Sequence, residues 1–234
     1  MAHFAQYREA HPLPFIIFHY INLGAFLTLI ISGIFIHYPW LPMVMGMARG
    51  AHITAAIVLL INLFIRIFLA LFVCTATSPG TRQMEREIKA WLPQPENRHQ
   101  FIPWIKYYLF MKKEHPLTAK FNPVQKLAYM FLPFSFLFMA VTGFAMWGPT
   151  MNWVICEAFT NLVGGLMNVR IIHYAMMIVN IIFLIIHLYM VITEGGIPLI
   201  KLMFLQREHG GYTYDIETHA ISGKDEKEYP KLLS

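Results

Sequence analysis

Four apolar runs, residues 15–36, 50–73, 127–146 and 171–193, each reach the roughly 20 residues that an α-helix needs to cross a bilayer core. Residues 10–48 contain no Asp, Glu, Lys or Arg, and Arg66 is the only charged residue inside any of the four runs. In hydrocarbon every backbone amide must be bonded within its own segment, so runs of this length read as helices. The expected fold is all-α: an integral membrane four-helix bundle. Composition agrees. Only 13% of residues are charged, against about 25% in an average soluble domain, and the mean hydropathy is +0.51.

The first run follows a short polar lead. His37-Tyr38-Pro39-Trp40 comes after it, where a cleaved leader would carry small residues, so it reads as a retained span. Cys74 and Cys156 are isolated, and there is no CxxC or CxxCH. This excludes iron–sulfur, zinc and covalent c-type haem motifs, so any haem here is held non-covalently.

The net charge of +5 gains meaning once it is mapped. Arg49 and Arg170 are the only Lys or Arg between the first and second runs and between the third and fourth. The segment 78–126 carries nine, and the stretch from Lys201 to Lys231 carries five. The positive-inside rule then predicts that both termini and the long middle loop are cytoplasmic. A nucleic-acid partner is not expected. The predicted organisation is a membrane domain over residues 1–205 and a polar cytoplasmic tail over 206–234, with an ordered beginning and a loose end. His11-Pro12-Leu13-Pro14 is expected to break any helix before the first span. The middle loop is too long to be mere connection. Its aromatic stretch 101–111, with Trp104, Tyr107 and Tyr108, suits a membrane interface. The loop 147–169 is expected to lie on the outer surface.

Eleven histidines are present, and His19, His52, His173 and His187 fall within the spans. Ionisable residues inside a membrane are costly and are functional candidates by default. His173 and His187 are 14 residues apart. That is about 3.9 helical turns and about 21 Å of rise, so both rings share nearly one face near opposite leaflets. With the predicted topology, His52 and His173 lie at the outer level and His19 and His187 at the inner level. Depth alone therefore pairs them into two bis-histidine sites, each joining the fourth span to another helix. Two stacked non-covalent haems, b-type, fit this pattern. A bis-imidazole iron has no open position, which favours electron transfer. His37, at the outer end of the first span, is expected to face the interface, and His11, His99, His115, His209 and His219 to be solvated.

A faint internal repeat runs through the spans. Ser32-Gly33 near the end of the first is echoed by Thr142-Gly143 near the end of the third. Arg49-x-x-His52 is echoed by Arg170-x-x-His173. Arg49 and Arg170 either meet a haem propionate or a loop carboxylate, or simply anchor helix ends at the interface. Gly24, Gly33 and Gly143 would let a porphyrin or a neighbouring helix approach closely.

On these residues the chain resembles, over about residues 12–205, the dihaem cytochrome b subunits that anchor membrane-bound respiratory oxidoreductases. Within that family it is most similar to the gamma subunit of formate dehydrogenase. Thiosulfate reductase cytochrome b and the b-type cytochrome subunit of nickel–iron hydrogenases are related in pattern. The four span histidines match the family's ligand positions, with the same pairing. Before the third span, Lys120-Phe121-Asn122-Pro123-Val124-Gln125-Lys126 resembles that gamma subunit's quinone-site segment, which has Gly where Val124 stands. The resemblance implies that Asn122 and Gln125 contact a quinone, either menaquinone or ubiquinone. An N-cap at Asn122 followed by Pro123 is the alternative reading, and both can hold.

The resemblance implies an electron-transfer subunit in the inner membrane. An iron–sulfur subunit and a catalytic subunit would dock at the outer face, and the whole complex could form a higher oligomer. Electrons would pass between that partner and a quinone near the cytoplasm, in either direction. Substrate chemistry would belong to the partner: formate dehydrogenase-like, or a hydrogenase or thiosulfate or polysulfide reductase. A stand-alone cytochrome b561-type reductase, and a haem-free anchor or proton-conducting bundle, are the rivals.

Overall fold

The computed structural model describes residues 2–5, 13–76, 84–93, 98–113, 116, 121–194, 212–215 and 221–222. Four long apolar helices dominate: α1 (Leu13–His37), α2 (Met45–Phe72), α5 (Pro123–Met146) and α7 (Leu166–Glu194). Each is long and apolar enough to cross a membrane, so the protein is a mostly helical, multi-pass membrane bundle. Three short helices lie between them: α3 (Ile88–Trp91), α4 (Phe101–Tyr108) and α6 (Val154–Leu162).

The helix boundaries follow local chemistry. Pro14 sits in the first turn of α1, where its missing N–H costs nothing. Pro39 follows two residues after α1 ends, as expected from the steric restriction on the residue before proline. α2 and α7 each begin five residues before their apolar runs. Hydropathy marks the hydrocarbon-crossing part, whereas helical hydrogen bonding continues through less apolar first turns such as the one holding Arg49. Gly164 and Gly165 take φ values of +84° and +117° and separate α6 from α7. α5 continues through Pro133. An interior proline is tolerated in membrane helices when neighbouring groups satisfy the freed carbonyl.

The chain divides into two compact units. One comprises residues 18–64 and 131–188. Here Ala25, Ala55 and Leu59 form a small core, with Phe26, Leu29 and Phe136 against it. A second core of Ala145, Cys156 and Val169 holds α6, while Val154, Ile155 and Leu162 of that helix are exposed. This amphipathic seating matches a helix lying along a membrane surface. Ile31, Phe64, Phe134 and Ile185 are exposed on the long helices, as lipid-facing residues would be. Inside, polar residues tie helices together. Asn62 Nδ2 donates to the Phe18 carbonyl at 2.7 Å, and Ser135 Oγ donates to Asn180 Oδ1 at 2.8 Å.

The other unit comprises residues 1–17, 65–130 and 189–234. Its core is Ala70, Ala90, Trp91 and Phe121, with Ile88 and Tyr129 packed on it. The described parts of the middle loop include strands and short helices. Strands β2 (Cys74–Ala76) and β3 (Met84–Arg86) pair antiparallel, Cys74 opposite Arg86. α3 follows them and carries Glu87 at its start. The Glu87 carboxylate is 1% exposed. It accepts from Arg66 Nη2 at 3.0 Å and from the Thr75 hydroxyl. The Arg66 guanidinium also lies 4.1 Å from the ring centre of Phe15 and 5.2 Å from that of Trp91. The loop thus supplies the counter-charge for the single charged residue in the spans. Removing either partner would strand a buried charge.

In α4, Trp104 is fully buried against Tyr107 and Tyr108. The expected interfacial role passes instead to Ile102, Leu109, Phe110 and Met111, which are exposed. Strand β1 (Ala2–Ala5) pairs antiparallel with β4 (Tyr212–Asp215), which pairs with β5 (Ile221–Ser222). The beginning of the tail is therefore tied to the N-terminal lead. Segments of two to four residues are too short for the alternation that marks a strand in sequence. The charged stretch 223–229, Lys120, His11, His115, His209 and His219 lie outside the described residues.

Candidate functional site: two facing histidine pairs

α1 carries His19, α2 carries His52, and α7 carries both His173 and His187. The structure brings them together in the pairs that depth predicts. The rings of His52 and His173 have centroids 6.4 Å apart at an interplanar angle of 60°. Those of His19 and His187 are 6.3 Å apart at 43°.

These separations provide a test of fit for an iron held between two imidazoles. An imidazole nitrogen binds a first-row metal at about 2 Å. The ring centre lies about 1 Å further on, so two trans imidazoles stand roughly 6 Å apart, centre to centre. A direct hydrogen bond between the rings would bring them closer. Both pairs fit the bis-imidazole arrangement.

The environment of the His52–His173 pair, expected to be the outer one, fixes which nitrogen is free. His52 Nδ1 lies 2.9 Å from Ser32 Oγ, which donates its own hydrogen to the Thr28 carbonyl at 2.5 Å. His173 Nδ1 lies 2.7 Å from Thr142 Oγ1, which donates to the Phe138 carbonyl at 3.0 Å. With each hydroxyl hydrogen committed to its own helix, the hydroxyl oxygen can only accept from the imidazole. Both rings are therefore Nδ1–H tautomers, with the Nε2 lone pair left as a metal donor. Beside each hydroxyl stands a glycine. A Cβ built on Gly33 would meet His52 Cε1 at 3.4 Å, and one on Gly143 would meet His173 Cε1 at 3.5 Å. The Ser-Gly and Thr-Gly echo in the sequence thus falls beside the His52 and His173 rings. The sequence carries that signal as a repeat without revealing its use.

The inner pair is bordered differently. Tyr20 meets His19 edge-on at 5.5 Å, and Phe183 stacks near-parallel with His187 at 6.3 Å and 14°. The Asn62 bond to the Phe18 carbonyl grips α1 one residue before His19. On α7, Asn180 stands seven residues from each of His173 and His187 and is itself 3% exposed.

His37 is exposed and stacks on Tyr174 at 4.1 Å, clear of both pairs. His99 is also exposed. Arg49 and Arg170 are exposed at the starts of their helices and make no ion pair among the described residues. Asn122 and Gln125 form a reciprocal capping box at the start of α5. The Asn122 N–H donates to Gln125 Oε1 at 2.9 Å, and the Gln125 N–H donates to Asn122 Oδ1 at 2.8 Å. Asn122 is fully buried. Its Nδ2 donates to the Tyr108 hydroxyl at 2.7 Å, and the Tyr189 hydroxyl donates to the Tyr108 carbonyl at 2.5 Å. The capping role expected from Asn122-Pro123 is thus present in full.

Comparison with known proteins shows the family. A probable Ni/Fe-hydrogenase B-type cytochrome subunit of Cupriavidus necator is 27% identical over 200 residues, covering 77% of this chain and 77% of that protein. One of Rhodobacter capsulatus is 28% identical over 198 residues, covering 77% of this chain and 72% of that protein. Residues 10–205 match the prokaryotic cytochrome b561 family, so the chain belongs to that family of membrane cytochromes with b-type haem.

Proposed function

We propose that the protein is the dihaem cytochrome b subunit of an inner-membrane respiratory complex, carrying electrons between an outer-face iron–sulfur partner and a membrane quinone. The observation that carries this reading is the pair of facing imidazoles found twice, at 6.4 and 6.3 Å. Haem b, when bound at each pair, supplies a one-electron iron couple. His52 with His173, and His19 with His187, would hold it through their imidazole nitrogens. Arg49 and Arg170 are reserved for propionates or for a partner's carboxylates at the outer surface, where their exposure leaves them accessible.

The likeness to two subunits named for Ni/Fe-hydrogenase favours a hydrogenase as the catalytic partner. The segment 120–126 keeps a formate dehydrogenase-like partner as the second reading. Quinone exchange is assigned to that segment on the same resemblance. Asn122 donates to the Tyr108 hydroxyl there, the Tyr189 hydroxyl separately donates to the Tyr108 backbone carbonyl, and Tyr189 is two residues beyond His187. An amide and two phenols can orient a quinone carbonyl or relay a proton to it.

A redox-titrated visible spectrum of the purified complex, with haem quantified per chain, tests the proposal. Two low-spin b haems per chain are expected. One haem or none would sink the four-histidine assignment, and the identity of the co-purified large subunit decides between the partners.

A further inference from the structure

The seats of the outer histidines differ in kind from ordinary helix packing. A serine on α1 and a threonine on α5 play the same part toward histidines on α2 and α7. Each hydroxyl donates to a carbonyl of its own helix and accepts from an imidazole Nδ1–H. Each is followed by a glycine that borders the ring's Cε1 edge, where a Cβ would come into contact at 3.4 or 3.5 Å. Ser32 is 7% exposed and Thr142 is fully buried, so water does not compete for these bonds.

We infer that Ser32 and Thr142 are positioning residues that set the tautomer, the ring orientation and the redox potential of the outer haem, and that the Ser/Thr-Gly dipeptide is the unit that does so on both sides of the iron. The inference rests on the haem reading above and adds to it. An accepting group on Nδ1–H makes the imidazole a stronger donor to iron, which favours the oxidised state. A neutral hydroxyl does this more weakly than a carboxylate would. It holds both ligands as imidazoles of one tautomer and leaves the iron at a higher potential than a carboxylate-backed pair. The hydroxyls stand on α1 and α5, helices that do not carry the rings they hold. Ring orientation at the outer site is therefore fixed by four helices and not by the two that carry the ligands.

The test compares Ser32→Ala and Thr142→Val with the conservative exchanges Ser32→Thr and Thr142→Ser in the intact complex. The readouts are haem per chain, the two midpoint potentials and the low-spin electron paramagnetic resonance signals. The outer haem is identified as the component that His52→Ala removes. Losing the hydroxyl is expected to raise the potential of that component, to shift its resonance signal through ring rotation, and to weaken haem retention at that site on the order of 10-fold. The inner component stays unchanged, and the conservative exchanges restore the wild-type values. Wild-type potentials and resonance signals in both Ser32→Ala and Thr142→Val would overturn the inference while leaving the haem reading intact. Wild-type protein without a b-type spectrum would overturn the haem reading first, and the inference with it.

Discussion

The outer and inner histidine pairs have nearly equal ring separations, 6.4 and 6.3 Å, but different side chains border them. Hydroxyls from α1 and α5 hold the outer rings by their Nδ1 atoms. The inner rings are bordered by aromatic side chains, Tyr20 at His19 and Phe183 at His187. A hydrogen bond specifies one tautomer and one ring direction, whereas an aromatic contact specifies a plane and tolerates rotation within it. The outer site is therefore expected to be sensitive to loss of the Ser32 or Thr142 hydroxyl. The inner site should respond to changes in bulk at Tyr20 and Phe183.

The largest effect comes from the ligands themselves. His52→Ala and His173→Ala should each abolish the outer haem component, and His19→Ala and His187→Ala the inner one, halving haem per chain and stopping transmembrane electron transfer. Redox-titrated spectra check this, and loss of one and the same component in His52→Ala and His187→Ala would break the pairing. Next comes a change at neither pair. Glu87→Ala leaves the Arg66 charge without its carboxylate and should cost about 3–5 kcal/mol in stability. A lower melting temperature of the detergent-solubilised protein, without a change in the difference between the two haem potentials, is the expected result.

Smaller and more selective effects follow at the glycines. Gly33→Val and Gly143→Val place branched carbons where even a Cβ already touches an imidazole at 3.4 or 3.5 Å. Overpacking of this kind typically costs about 1–3 kcal/mol, and it should broaden or shift only the outer component of the titration. The smallest effect separates the two roles of Asn122. Asn122→Ser keeps a capping hydroxyl but loses the amide bond to Tyr108, whereas Asn122→Ala loses both. The alanine variant should cost about 1 kcal/mol of thermal stability. The serine variant should be nearly as stable as wild type, yet impaired in quinone-linked turnover. Full quinone activity in the serine variant would reduce Asn122 to a helix cap.

The long helices and the pairing of four histidines were legible because they rest on one-dimensional signals. Hydrophobic length marks a span, and helical arithmetic turns spacing and chain direction into depth. His19 and His187 are 168 residues apart in the chain, yet topology alone places them at one level. The Ser32-Gly33 and Thr142-Gly143 repeat was visible, but which ring each dipeptide meets depends on helix rotation, which sequence does not encode locally. Arg66 stood out as a lone charge, but its partner Glu87 lies 21 residues away in a loop with no periodic pattern. Trp104 read as interfacial because composition cannot tell which side of a short amphipathic helix meets lipid and which meets protein.

The buried bond between Ser135 and Asn180 carries a mechanical consequence. Asn180 is midway between His173 and His187 on α7, and a single residue of axial slip would turn that helix by about 100°. Such a slip would swing both imidazoles away from their partners at once. A polar pin in an otherwise greasy shaft works like a key in a keyway, since no neighbouring apolar residue can replace it after a turn. One hydrogen bond at mid-helix thus holds the angular phase of two sites that it does not touch.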